Sequence, residues 1–210
     1  MLFRSKVPTY DPMLRPKGNK GKKWWDPAKE NGPYGTGYWD EKGKRVTENL
    51  RGDNSRVIMD RAIPFMRSAA QNDQPFFTII WFHTPHLPVV AGAEYTRMYA
   101  DQEKYAQHYY GCITAMDEQV GRLRMELRAL GVANNTLVTF CSDNGPEGQA
   151  NNAPGSAGHL SGRKRSLLEG GIRVPGLIEW PGKVRPGSTA IPAVTSDYLP
   201  TILDIIGAEP

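Results

Sequence analysis

Thr136-Leu-Val-Thr-Phe-Cys-Ser-Asp-Asn-Gly-Pro-Glu147 is the stretch that decides how this chain folds. A short run rich in Leu, Val, Thr and Phe has the composition of a buried strand, and Gly145-Pro146 stops it. The stop leaves Asp143 and Asn144 side by side at the carboxyl end of the strand, where open α/β sheets bind their ligands. A carboxylate and an amide are hard oxygen donors, suited to Ca²⁺ or Mg²⁺ ahead of Zn²⁺. Asp-Asn-Gly is also an ordinary turn sequence, because all three residues tolerate turn angles. Its neighbours decide between the two.

Upstream, Tyr109, Ile113, Met116, Val120, Leu123, Leu127 and Leu130 recur at steps of three and four, and Gly131 supplies a stop. This spacing predicts a helix whose apolar stripe packs in the core. Earlier still, Phe76-Phe-Thr-Ile-Ile-Trp-Phe82 is continuously apolar, as in a strand buried on both faces. Strand, helix and strand predict a βαβ unit with parallel strands and a right-handed crossover. The loops after Phe82 and Ser142 then open on one sheet edge, which sets His83-Thr-Pro-His86 opposite Asp143 and Asn144. Pro85 disfavours helix at Thr84, so the two imidazoles are expected to point in different directions, with one reaching the crevice.

Three further elements complete an α/β reading, a mostly parallel sheet flanked by helices. Asp53 or Asn54 caps a predicted helix running to about Ala70, with Ile58, Ala62, Phe65 and Ala69 on one face. A third strand is expected at Gly176-Leu-Ile-Glu-Trp180, and a final helix near 197–206 carries Leu199, Ile202, Leu203 and Ile206 on one side. Between them, Gly158, Gly162, Gly170 and Gly171 permit tight turns around Arg163, Lys164 and Arg165. A cation on a constrained loop beside a hard-cation site is what an anionic ester needs.

Residues 1–52 show neither a period of 2 nor one of 3.6, and divide as an irregular, Gly- and Trp-rich excursion from the domain at 53–210. Residues 1–50 hold 11 Lys/Arg against 6 Asp/Glu, a net of +5, concentrated at Lys17, Lys20, Lys22 and Lys23 before Trp24 and Trp25. Basic residues beside aromatics are suited to gripping a polyanion; a solvated loop has the same composition. At 39% hydrophobic and 23% charged the chain has a globular composition, and no apolar run approaches the length of a membrane span. Met1-Leu-Phe-Arg-Ser-Lys-Val7 is too short and polar for a signal peptide, so no export address is expected in this chain. Cys112 and Cys141 fall in a predicted helix and a predicted strand and are expected to be free thiols.

Taken together, Phe76-Phe77, His83-Thr-Pro-His86-Leu-Pro88, Tyr110, Asp117-Glu-Gln-Val-Gly121, Ser142-Asp-Asn-Gly-Pro-Glu147, Gly162-Arg-Lys164, Glu169-Gly-Gly-Ile-Arg-Val-Pro175 and Trp180-Pro-Gly182 occur in the order seen in type I sulfatases. The chain resembles that family of formylglycine-dependent, calcium-binding enzymes of the alkaline phosphatase superfamily over about residues 53–210. The resemblance implies an alkaline phosphatase-like partial domain, the downstream portion of a catalytic domain, and a sulfuric ester hydrolase as the parent enzyme. Its substrate would be a sulfated small molecule or polysaccharide, with no nucleic acid and no membrane span, in a periplasmic or extracellular setting. Asp143 and Asn144 would supply calcium ligands, His86 would contact the sulfate and the leaving oxygen, and Lys164 would bind the sulfate. His83, Arg163 and Arg173 would be supporting or structural, and Glu147 is not expected to bind the metal.

The departures are as specific as the matches. No Cys/Ser-x-Pro-Ser/Ala-Arg motif occurs, so the formylglycine of the parent enzyme is not encoded here, and the family's early Asp-Asp metal ligands are also missing. A phosphatase or phosphodiesterase of the same superfamily is the nearest enzymatic rival, but Asn144 stands where zinc-using members resemble one another in a histidine. A non-catalytic paralogue binding anionic glycans is the rival from another class. If the roles hold, His86, Asp143, Asn144 and Lys164 gather within roughly 10 Å of one point, as contacts of hydrogen-bond and metal–oxygen length require.

Overall fold

The computed structural model describes residues 3–5, 10–11, 14–16, 23–24, 31–33, 37–149 and 152–208. Short strands β1 (Phe3–Ser5), β2 (Tyr10–Asp11), β3 (Leu14–Pro16), β4 (Asn31–Pro33), β5 (Gly37–Trp39) and β6 (Gly52–Asp53) precede helix α1 (Asn54–Gln71). They pair as antiparallel ladders β1–β5, β2–β6 and β3–β4. Tyr38 of β5 reaches the core, 1% exposed against Val57, and its hydroxyl accepts a 2.8 Å hydrogen bond from Asn54 Nδ2. The basic positions Lys17, Lys20 and Lys22, with Trp25, lie outside the described residues. Lys23 and Trp24 lie within and are turned inward: Lys23 Nζ sits 5.5 Å from the Tyr105 ring centre, and Trp24 stacks on buried His108 at 5.2 Å.

Asp53 caps α1, its Oδ1 accepting from Ser55 N at 2.7 Å. The buried face of α1 is Val57, Met59, Ile63, Met66 and Ala69, rotated from the expected one, and Phe65 is exposed. The rotation follows from packing on two sides: Val57 and Ile58 meet Tyr38, while Met59, Ile63 and Met66 meet Phe76, Ile80, Phe82 and Leu123. After the short α2 (Ala93–Thr96), helix α3 (Lys104–Ala129) ends just before Gly131, whose φ of 74° makes the expected stop. Its most buried face carries His108, Gly111, Cys112, Ala115 and Gln119; most of the apolar stripe beside it is only half-buried. Neither cysteine is in a disulfide, Cys112 being buried in α3 and Cys141 partly covered in β7 (Val138–Cys141).

The α/β architecture is present, but its sheet differs in detail from the βαβ expectation. Strand β7 pairs antiparallel with β8 (Gly176–Glu179), after the short helix α4 (Glu169–Ile172). Residues 76–82 form no strand ladder among the described residues, so the expected parallel pair is not made among them. Their burial alternates: Phe76, Ile80 and Phe82 pack inward, whereas Phe77, Ile79 and Trp81 stand 66%, 63% and 78% exposed. Arg124 of α3 holds β8 through Glu179, with Nε–Oε2 2.6 Å and Nη2–Oε1 2.9 Å. Helix α5 (Tyr198–Ile206) closes the described chain.

Asp53 makes a testable contribution to stability. Burial pushes its carboxyl up to about 7, against weaker lowering by Ser55 and Arg56. A raised carboxyl favours the folded state when protonated. Its contribution is full below the unfolded value of 3.8 and is lost as pH rises through about 7. Asp53→Asn keeps a capping oxygen without the charge. In denaturant titrations the variant is expected to match the wild type near pH 4 and exceed it by up to about 4 kcal/mol at pH 8. A constant difference across that range would remove Asp53 as the cause.

Candidate active site

Strand β7 ends at Cys141, and the chain turns at once. Ser142 Oγ donates to Asn144 O at 3.0 Å, and Asn144 Nδ2 donates to Gly145 O at 2.8 Å. With the amide nitrogen so engaged, Oδ1 is the end of Asn144 left to a cation, beside the exposed Asp143 carboxylate. Two oxygens are a fraction of the 6–8 that Ca²⁺ takes. Among the described residues no group of three or more His, Cys, Asp or Glu is placed to hold a metal ion. The donor chemistry fits part of a calcium shell.

Two backbone hydrogen bonds bind this turn to the glycine-rich loop, and a third closes the loop on itself. Gly145 N donates to Gly171 O at 2.8 Å, Gly170 N to Ser161 O at 2.7 Å, and Lys164 N to Pro146 O at 3.1 Å. A side chain at Gly145 would overlap the Gly170 carbonyl, and one at Gly171 would overlap that of Ser166. Glycine is required here for close backbone approach, at positions where φ is ordinary. The result sets Lys164 against the segment that begins at Asp143.

Glu147 connects the cations. Its Oε1 lies 2.9 Å from Arg165 Nη1 and its Oε2 3.8 Å from Lys164 Nζ. Burial alone would raise its carboxyl, but the Gly148 N–H, Arg165 and Lys164 outweigh burial and hold it below the usual range. Arg163 is spent as a loop clamp, its Nη2 donating to Glu147 O at 3.0 Å and to Gly155 O at 2.5 Å. Arg165 adopts a φ of 75°, an unusual backbone for a side-chain-bearing residue, held beside Glu147 by that ion pair. The aromatic face of α3 supports the same loop: Tyr110 donates to Pro154 O at 3.4 Å, and burial pushes Tyr109 up to about 12.

The histidines differ from the expectation. His86 N donates to His83 O at 2.8 Å, closing a turn that brings the two rings 5.0 Å apart and tilted by 43° rather than diverging. His86 Nδ1 lies 2.7 Å from Leu87 O; because a carbonyl only accepts, Nδ1 carries a proton and Nε2 is the nitrogen left for chemistry. Neighbouring Thr84 is buried, its hydroxyl 3.4 Å from that of Ser55 at the start of α1. Among the described residues no hydrogen bond or ion pair ties His86 to Asp143, Asn144 or Lys164. The structure therefore joins Lys164 directly to the Asp143–Glu147 turn, and His86 stands on a separate turn. Glu147 as partner of both cations escaped the sequence reading; its only signal was an acid directly after Gly-Pro.

The fold is alkaline phosphatase-like. Ps i-CgsB, solved in complex with k-i-k-neocarrahexaose, superposes with a TM-score of 0.75 at 30% identity over 83% of this chain and 38% of its own. The Sulfatase family model matches residues 16–208, and the chain belongs to that family. Human Arylsulfatase A is 35% identical over 68% of this chain and 27% of its own length. The Ulvan-active sulfatase of Formosa agariphila is 30% identical over 71% and 32% respectively. The chain thus spans about a third of the length of these curated relatives.

Proposed function

We propose that this chain is the downstream portion of a sulfatase catalytic domain whose complete enzyme hydrolyses sulfate esters of carbohydrates. The observation that supports the reading is the Lys164 N–Pro146 O bond, which ties the loop carrying Lys164 to the turn carrying Asp143 and Asn144. In this reading Asp143 and Asn144 contribute two ligands to Ca²⁺, with Mg²⁺ the less suited ion, and the metal would supply charge neutralisation at the ester. Lys164 binds the sulfate group, and His86, through Nε2, handles the proton of the leaving oxygen. The nucleophile, a formylglycine, comes from polypeptide outside this chain. The bare outer face of residues 76–82 supports that partition, because a strand apolar on both faces is suited to burial on both.

Sulfated polysaccharides are the favoured substrate class, since one relative is named for ulvan and one solved neighbour holds a carrageenan-type oligosaccharide. Such substrates belong to a periplasmic or extracellular enzyme. No described helix is long and apolar enough to cross a membrane. The coding sequence upstream of Met1 tests the class: an in-frame Cys/Ser-x-Pro-Ser/Ala-Arg is expected. A complete gene without it would favour a non-catalytic glycan-binding protein.

Calorimetry tests the metal assignment. With two protein oxygens the 210-residue chain is expected to bind Ca²⁺ no tighter than millimolar, and Asp143→Ala to abolish the heat. Micromolar affinity would show that further ligands within this chain complete the shell.

A further inference from the structure

We propose that Glu147 is the resident counter-ion of Lys164: its carboxylate holds the ammonium when no anion is bound, and an incoming sulfate group displaces it. The inference rests on the reading of Lys164 as the sulfate-binding cation, and it adds a competitor for that cation. Glu147 is not needed to hold the loop in place, since the backbone bonds Gly145–Gly171 and Lys164–Pro146 and the Arg163 clamp on carbonyls already do so. Its two oxygens instead divide between two cations, close to Arg165 at 2.9 Å and looser to Lys164 at 3.8 Å. That asymmetry suits an exchangeable contact. Arg165 and the Gly148 N–H keep the carboxylate charged and in place, so Lys164 is free to move onto a stronger anion without leaving Glu147 unpaired.

The Lys164 and Glu147 side chains are 23% and 30% exposed, so water screens the pair without cancelling it. Sulfate and Glu147 therefore compete for one ammonium, and the affinity of the site for sulfate is set below what Lys164 alone would give. A competitor of this kind also limits how tightly the product, inorganic sulfate, is retained.

The test is titration of the 210-residue chain with inorganic sulfate at constant ionic strength, following amide shifts of residues 145–148 and 162–166. Glu147→Gln is expected to tighten sulfate binding about 5- to 10-fold, Glu147→Asp to remain near the wild type, and Lys164→Met to abolish binding at this loop. A gain of affinity is a result that structural damage does not produce. Unchanged or weaker binding in Glu147→Gln, with Lys164→Met still abolishing it, would overturn the counter-ion proposal and leave the Lys164 assignment standing. Binding that survives Lys164→Met, or no binding by any form, would overturn both.

Discussion

Incubated with an aryl sulfate and Ca²⁺, the 210-residue chain is expected to release no sulfate above buffer. Enzymes of covalent mechanism divide a slow displacement between a nucleophile and its activating groups, and the acceleration collapses when the nucleophile is missing. Neither cysteine stands in a Cys-x-Pro-Ser/Ala-Arg context. Cys112 is fully buried, its Sγ donating to Tyr109 O at 3.1 Å. Cys141 is partly covered in β7 and engages Tyr198 of α5. Cys112→Ser and Cys141→Ser are therefore expected to behave like the wild type in this assay. Turnover by the wild-type chain that either substitution destroys would assign the nucleophile to this chain and end the partial-domain reading.

The largest loss of stability is expected at Gly145. Its amide is bonded to Gly171 O, and the Gly170 carbonyl fills the space a methyl group would need. Backbone cannot rotate away as a side chain can, so Gly145→Ala must part the 143–147 turn from residues 170–171. A cost of about 3 kcal/mol is expected, at the upper end for an overpacked site. Hydrogen exchange at Gly145 and Gly170 should quicken with it. Gly176→Ala is the control, because nothing lies within 4 Å of its added carbon. Equal denaturation midpoints for the two variants would show that the turn and loop are not in backbone contact.

Local features were legible in the sequence, and pairings were not. The end of α3 at Gly131 and the Asp53 cap of α1 follow from backbone preferences a few residues long, and both stand where they were expected. The buried face of α1 was missed because apolar residues occupy two neighbouring stripes, and which of them is covered depends on Tyr38, sixteen or more residues away. The strand expected at 76–82 joins no ladder among the described residues, since strand pairing is a property of the assembled sheet and not of the run itself. Lys164 was singled out through its motif, whereas Glu147 joins it across seventeen positions of irregular chain, with no period to announce the contact. The convergence of His83 and His86 depended on a turn whose closing hydrogen bond composition does not encode.

Phe76-Phe-Thr-Ile-Ile-Trp-Phe82 has a consequence for the life of the chain in the cell. Seven uncharged, β-forming residues without proline, bare on one face and in no ladder among the described residues, have the signature of a cross-β template. Pro75 and Pro85 bracket the run and limit how far a fibril could recruit its flanks. Nothing within the run itself discourages stacking. Soluble yield of the isolated chain should therefore fall steeply with concentration, and holdase chaperones should bind this segment until something else covers it.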